Sequence, residues 1–435
     1  MIETLRNAWK IDDLRRKMLY TFMILLIFRI GAAMPVPFMR PEVLADSAVM
    51  GDGSLLSYIN LLTGGAFSQA TLFAMSISPY ITASIVMQLL QVAIPALERL
   101  AKEGEAGQKK IARISRYATA GLALIQSVAY YWMNFTLGAV RYTDGVSRWF
   151  AAIVIVLAYT AGAMLIVWLG ESIDKKGIGN GISMILFAGI VSRGPMAIYN
   201  LGVNVYTGIM EPGFRYLIFQ VLAIVALFLA LIGVIVLMTN AERRIPIQYS
   251  KRVVGRKMYG GQSSYIPIKV MMSGVMPIIF ASSILSIPGM IKGFMPNMNQ
   301  AGLGYRILSL FDYTHPVYAI LYLVLIIAFN YFYVAIQYNP VQMANDLRKN
   351  NGAIPGMRPG KPTSDFIAKI ISKITLVGAL FVALIAILPI LLGSVFAMPI
   401  ALGGTSIIIV VGVALDTVRA LESQMMMRHY KGFLE

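Results

Sequence analysis

The chain contains no cysteine, only two histidines (His315 and His429), and charged residues at 13% of 435 positions. Without cysteine there can be no disulfide, no thiolate-bound metal and no thiol redox chemistry. Two histidines 114 positions apart cannot form a zinc or catalytic cluster. A soluble protein carries about 25% charged residues, so this chain has about half the charge needed to solvate a globular surface. Acidic residues are scarcest, 20 against 37 Lys and Arg, for a net charge of +17. These shortages exclude a soluble enzyme and a disordered chain alike. No short apolar stretch with a small-residue cleavage site precedes MIETLRNAWKIDDLRRKM, so no removable signal peptide is expected.

What the chain has instead is hydrophobic sequence, 58% of its residues, with a mean hydropathy of +0.71. Ten apolar runs fall near 18–37, 71–95, 114–136, 149–170, 181–200, 214–239, 268–291, 316–337, 367–391 and 402–422. Each is long enough for a helix to cross a bilayer at about 1.5 Å per residue. Alternate loops and the two termini hold 29 of the 37 Lys and Arg, whereas the opposite loops hold seven. By the positive-inside rule both termini and the long basic loops 240–269 and 339–366 face the cytoplasm, where they meet anionic lipid and acidic partners. The expected fold is an all-α polytopic membrane protein. Five spans followed by five more suggest halves at 1–200 and 201–435, which an odd count per half would orient oppositely, as in an inverted repeat.

Phosphate-binding and dinucleotide motifs fail on spacing. GMRPGKPT (356–363) has three residues between its glycines where four are required, and Pro362 replaces the hydroxyl residue. KGIGNGIS (176–183) reads as a tight turn with Asn180 or Ser183 at a helix start. Any energy source must therefore lie outside the chain. The spans hold almost no ionisable groups: Arg29 is alone in the first, where it can snorkel or bond neighbouring backbone, and Asp416 and Arg419 sit one turn apart in the last. An ion-coupled transporter needs carboxylates or histidines at mid-membrane, and an intramembrane enzyme needs a nucleophile with a base.

Three features suggest a pore. Residues 55–66, LLSYINLLTGGA, are apolar but too short to cross, and end in Gly64-Gly65, a possible hinge. They read either as a re-entrant segment over a cavity or as an amphipathic surface helix. In the second span Ile77, Ile81 and Ile85 recur every four residues along one face, and Pro79 should kink that helix. The stripe is either packing or a stiff constriction that excludes ions by dewetting. The two long basic loops combine charge, aromatics and Pro/Gly turns, as a docking surface for protein or ribonucleoprotein would.

Motifs spread over nearly the whole chain resemble the SecY family, the large subunit of the bacterial protein-conducting channel. They include PVPF (35–38), LTGGAFSQATLFAMSISPYITASIVMQLL (62–90), LAKEGEAGQKKIARISRY (100–117), GIGNGIS (177–183), ERRIPIQYSKRVVGRK (242–257), IPGMRPG (354–360) and LGGTSIIIVVGVALD (402–416). The resemblance implies ten helices in two inverted five-helix halves around an hourglass pore in the bacterial plasma membrane. Its pore ring would be Ile77, Ile81, Ile85, Leu186, Ile279 and Ile409, with Leu186 where relatives commonly carry Ile. The plug and its hinge would hold Leu55, Leu56, Tyr58, Ile59, Leu61, Leu62, Gly64 and Gly65. A lateral gate for signal sequences would use Ser84 and Gln88 on one side and Ser282 and Ser283 on the other. Docking would fall to Arg243, Arg244, Lys251, Arg252, Arg256, Lys257 and Arg358. Implied partners are SecE, SecG, the SecA ATPase, the ribosome with its rRNA, signal peptides and nascent chains; no cofactor and no covalent chemistry are implied. Tyr265 and Met271 depart from the His and Asn that relatives often carry.

Overall fold

A computed structural model of the chain describes residues 2–45, 60, 63–196, 199, 202–203, 214–249, 252–254, 257–259, 263–294, 302–312, 315–396 and 404–431. Each of the ten apolar runs carries a helix. They are α2 (Asp12–Ala33), α4 (Ser78–Ala93), α6 (Glu105–Thr136), α7 (Gly145–Lys176), α8 (Gly181–Val191), α9 (Phe214–Asn240), α10 (Met276–Phe294), α12 (Pro316–Gln337), α14 (Lys361–Phe396) and α15 (Gly404–Lys431). Shorter helices are α1 (Ile2–Trp9), α3 (Pro41–Ala45), α5 (Pro95–Lys102), α11 (Leu303–Ser309) and α13 (Pro340–Lys349).

Long helices here bury one face and leave large apolar side chains on the other. On α7, Ile155, Tyr159 and Ile166 are buried while Ile153, Leu157 and Trp168 are exposed. Such an exposed apolar face fits lipid rather than water as its solvent. By length and composition alone α7, α12 continued through α13, and α14 qualify as membrane-crossing helices among the described residues, and α4 with α5 meets the same test as a pair bent by 99°, a broken span or a re-entrant loop. Ile94 lies at that bend, between Ala93 and Pro95, so a proline again starts a helix where its missing N–H costs nothing.

One sequence expectation needs correction. Pro79 does not kink the second span: α4 begins at Ser78, so the proline occupies the first turn. The apolar residues before it, 63–77, form a succession of turns instead of helix. The all-α fold carries, in addition, a few short strands. The basic loop after α9 forms strands β1 (Glu242–Tyr249), β2 (Arg252–Val254), β3 (Lys257–Tyr259) and β4 (Ser263–Lys269), with β1 antiparallel to β4 from Glu242↔Lys269 to Gln248↔Ser263. The second basic loop contributes β5 (Gly352–Ala353), which pairs with the other edge of β1 through Gln248↔Ala353 and Tyr249↔Gly352. Alternation on β1 points Ile245 and Ile247 into a small core with Ile268, Val334, Leu347, Ile354, Ile367 and Ile371.

Candidate functional site: an apolar collar and its pinned stem

All six candidate ring residues are buried in one apolar cluster: Ile77 0%, Ile81 9%, Ile85 4%, Leu186 5%, Ile279 6% and Ile409 2% exposed. They come from five places in the chain, namely the cap and body of α4, then α8, α10 and α15. Ile77 is the cap residue of α4, and its carbonyl accepts from the Ile81 amide at 3.0 Å, so the isoleucines continue one face across the helix start. Ile185, Ile278 and Ile408 are equally buried neighbours in the same cluster. Burial does not distinguish them from the six candidate ring residues.

Next to the collar, the turns 63–77 are held by named bonds. The Asn60 side-chain oxygen accepts from the Ser68 amide at 3.0 Å, and its backbone carbonyl accepts from Gly65 N at 2.9 Å and Thr63 Oγ1 at 3.0 Å. Deeper in, the Tyr130 hydroxyl of α6 donates to the Phe67 carbonyl at 2.6 Å, and the Tyr159 hydroxyl of α7 donates to the Ala70 carbonyl at 3.3 Å. The segment leading out of α2 adds Val36 N to Ala70 O (3.0 Å) and Leu72 N to Met34 O (2.9 Å). Backbone that is not helical can sit at membrane depth only when its polar groups are satisfied this way. Asn60, Tyr130 and Tyr159 were not picked out from the sequence. A buried tyrosine in an apolar helix, needing a partner for its hydroxyl, was the available signal.

Gly64 and Gly65 have φ of 67° and 91° and lie against the ends of two helices. A methyl group on Gly64 would stand 2.8 Å from the Gly189 carbonyl oxygen, 2.8 Å from Ser192 Oγ and 3.0 Å from Arg29 Nη1. One on Gly65 would stand 2.7 Å from Arg193 Nη2. Arg29 donates to Ser192 Oγ at 3.0 Å, joining α2 to the end of α8. The lone intramembrane arginine therefore bonds a side-chain hydroxyl of another helix end. The other candidate plug residues, Leu55, Leu56, Tyr58, Ile59, Leu61 and Leu62, lie outside the described residues.

The candidate gate residues do not bond across to one another. Gln88 Nε2 donates to Ser84 Oγ at 3.3 Å within α4, while Ser282 and Ser283 both donate back to the Ile279 carbonyl within α10, at 3.0 and 2.7 Å. Ser84 and Gln88 line a cavity of about 320 Å³ between α4, α5, α6 and α7, together with Tyr80, Met87, Gln91, Ile111 and Glu171. Glu171 in turn holds Arg116 through two oxygens at 2.6 and 2.7 Å.

Among the candidate docking residues, Arg243 and Arg244 project from β1 and are exposed. Arg244 pairs with Glu242 at 2.7 Å and lies 4.8 Å over the Tyr265 ring, and the adjacent carboxylate raises its pKa above the ordinary arginine value. Tyr265 thus supplies a π-face that stacks on Arg244. Arg252 and Lys257 belong to the β2–β3 pair, through Arg252↔Tyr259 and Val254↔Lys257. Lys251 and Arg256 lie outside the described residues. Arg358 is exposed between Gly356 and Gly360, both at positive φ (81° and 103°), and its carbonyl accepts from Thr363 Oγ1 at 2.8 Å. Met271 accepts a hydrogen bond on sulfur from Thr239 Oγ1 at 3.4 Å, linking the entry to α10 with the end of α9.

The sequence profile of the SecY family matches residues 71–418. The chain belongs to the SecY family. Its SecY relatives include the protein translocase subunits SecY of Halalkalibacterium halodurans and Bacillus subtilis. Each is 42% identical, over 444 and 440 residues, with 100% of both chains covered. That of Mycobacterium tuberculosis is 40% identical over 460 residues at the same coverage. Among solved structures, one described as a protein conducting channel superposes with a TM-score of 0.61 at 18% identity, covering 94% of this chain and 92% of that one. Sec61 in the canine ribosome-channel complex superposes at 0.57 and 16% identity with the same coverage. The SecY fold, an all-α polytopic membrane architecture, is therefore the fold of this chain, with the small β4–β1–β5 sheet and the β2–β3 pair added to it.

Proposed function

We propose that this SecY-family chain is the pore-forming subunit of a translocase that passes unfolded polypeptide across the bacterial plasma membrane and releases apolar segments sideways into lipid. The apolar collar carries this reading. It draws side chains from both 1–200 and 201–435, taken as two inverted halves, and contains no group that could bind an ion or perform covalent chemistry. Such a gasket excludes hydrated ions by its cost of dewetting yet yields around a chain. The pinned turns 63–77 anchor a plug at 55–66, whose displacement opens the path. Two states follow: plug seated with the gate shut, or plug displaced with the gate parted by partner and signal sequence.

An asymmetry of the seam favours the lateral gate. Among the described residues, side-chain bonds between the halves all end on α15: Thr4 to Glu422 (3.1 Å), Lys17 to Gln424 (3.0 Å) and Thr417 to the Met184 sulfur (3.4 Å). No described hydrogen bond, ion pair or aromatic pair joins α4 or α6 to α10. A seam stapled at one edge and apolar at the other opens at the apolar edge, between Ser84/Gln88 and Ser282/Ser283. Both termini lie in the cytoplasm with the basic loops, where Arg243, Arg244, Lys251, Arg252, Arg256, Lys257 and Arg358 receive SecA or a translating ribosome. SecE and SecG cover parts of the lipid-facing surface, and the chain itself is not an enzyme.

The chain's lack of cysteine makes the test clean. One cysteine replaces Ile81, and a secretory precursor with a single cysteine is arrested midway through export. Disulfide formation that requires active SecA and a functional signal sequence is expected. A precursor confirmed in transit that links at lipid-facing control sites and never at Ile81 would remove the collar from the path and favour the transporter reading.

A further inference from the structure

Two arginines meet where α2 and α8 end, with no acid beside them. Arg29 lies one turn before the end of α2, and Arg193 lies two residues beyond α8. With the basic loops in the cytoplasm, both ends fall in the opposite leaflet. The two half-buried guanidinium groups rest on adjacent residues of the stem, where a methyl group on Gly64 would crowd Arg29 Nη1 and one on Gly65 would crowd Arg193 Nη2. The paired glycines are thus a cradle in which two cations settle side by side, near enough for the Arg29 charge to act on Arg193. Arg29 uses one of its five N–H groups on Ser192 Oγ, which itself donates to the Gly189 carbonyl at 2.6 Å. Among the described residues neither arginine forms an ion pair, and the side chain of Arg193 makes no hydrogen bond. The carbonyl end of α8 offers about half a negative charge against two positive ones. More than one unit of positive charge is left unanswered.

We propose that Arg29 and Arg193, over the Gly64-Gly65 cradle, bind the phosphate of an anionic phospholipid from the outer leaflet. Each guanidinium presents a planar fork that matches phosphate oxygens, and an anion between two such forks offsets their repulsion and their lost hydration. The surroundings favour a lipid over free phosphate. Leu26, Ile30 and Met34 on α2 and its cap are exposed, as are Val191 and Met196 at and beyond the end of α8. Acyl chains lie against these apolar side chains when the headgroup reaches the arginines. A lipid seated there also braces the stem, but its binding can be measured whether or not the chain conducts polypeptide.

The experiment places the full translocase in phosphatidylcholine vesicles with a trace of phosphatidylglycerol carrying a photoactivatable acyl chain, and maps the adducts by peptide. Labelling is expected at Ile30, Met34, Val191 or Met196. Unlabelled phosphatidylglycerol should compete it away, while millimolar inorganic phosphate should leave it in place. Arg193→Gln should lower this labelling by about tenfold, the loss of one charge-assisted contact, with labelling at Leu157 and Trp168 on the exposed face of α7 unchanged. Arg29→Gln should do the same. An effect of Arg29→Gln alone would assign the labelling to the packing of α2 against α8 and overturn the paired site. Labelling that neither variant changes would overturn it too. Displacement by inorganic phosphate would make the ligand a free anion and refute the lipid assignment. Equal labelling by photoactivatable phosphatidylcholine at the same mole fraction would show an apolar surface without headgroup recognition, and would sink the proposal.

Discussion

Replacing Gly64 with alanine tests the stem of the plug in a way that Gly65 can calibrate. Both positions have φ in the left-handed region, 67° and 91°, where any Cβ costs about 1 kcal/mol. They differ in what the new methyl meets. At Gly64 it lies 2.8 Å from the Gly189 carbonyl oxygen, which is backbone at the end of α8 and cannot turn aside. At Gly65 it meets Arg193 Nη2 at 2.7 Å, the tip of a flexible side chain that can swing away. Gly64→Ala should therefore add about 2 kcal/mol of overpacking and weaken the seat by roughly a hundredfold. Gly65→Ala should weaken it only by about fivefold. The assay is ion leak from proteoliposomes holding the resting translocase, with thermal unfolding as a control for global damage. Gly64→Ala is expected to leak far more than Gly65→Ala. Equal leaks, or a sealed Gly64→Ala channel, would refute the claim that close backbone contact with α8 sets the plug in place.

Tyr130→Phe leaves the buried Phe67 carbonyl without its donor, and should lower stability by about 1–3 kcal/mol, read as an earlier thermal transition of the purified complex. Arg358→Glu should abolish partner-driven export while shifting stability by less than ~0.5 kcal/mol. The reason is that the residue's described bond is made by its carbonyl and its side chain is exposed; a large loss of stability would contradict this. Arg419→Ala removes bonds at 2.8 Å to the Thr239 carbonyl and Asn240 Oδ1 and should destabilise by about 1.5–3 kcal/mol, measured by thermal unfolding.

The helices were legible because an apolar run of membrane length has few other solutions. Asn180 was also readable, and its side chain caps α8 by accepting from Ser183 N at 3.0 Å. Residues 63–77 were not: as an apolar run they look the same as helix, and the positive φ of Ala70 and Ser76 (48° and 47°) leaves no mark in hydropathy. The pairing of β1 with β5 joins residues about a hundred positions apart, and register over such a separation cannot be read from one chain. Alternating Ile245 and Ile247 within ERRIPIQY was nevertheless a period-two signal. Ser282 and Ser283 carry the right chemistry for a polar gate, but an i−3 or i−4 carbonyl within reach takes their hydroxyls first.

The strand pairing between the two basic loops changes how force can enter the molecule. A partner gripping two independent flexible loops would only tether itself, since slack chain transmits tension but no torque. With β5 seated on β1 and a shared core beneath, the loops become a yoke. One arm runs from α9 through β1 and β4 into α10, the other from α13 through β5 towards α14. A push delivered at Arg243 or Arg358 is then borne by a stiff crosspiece attached to four helices. Force applied to that crosspiece can tilt those helices, where loose loops would have absorbed it.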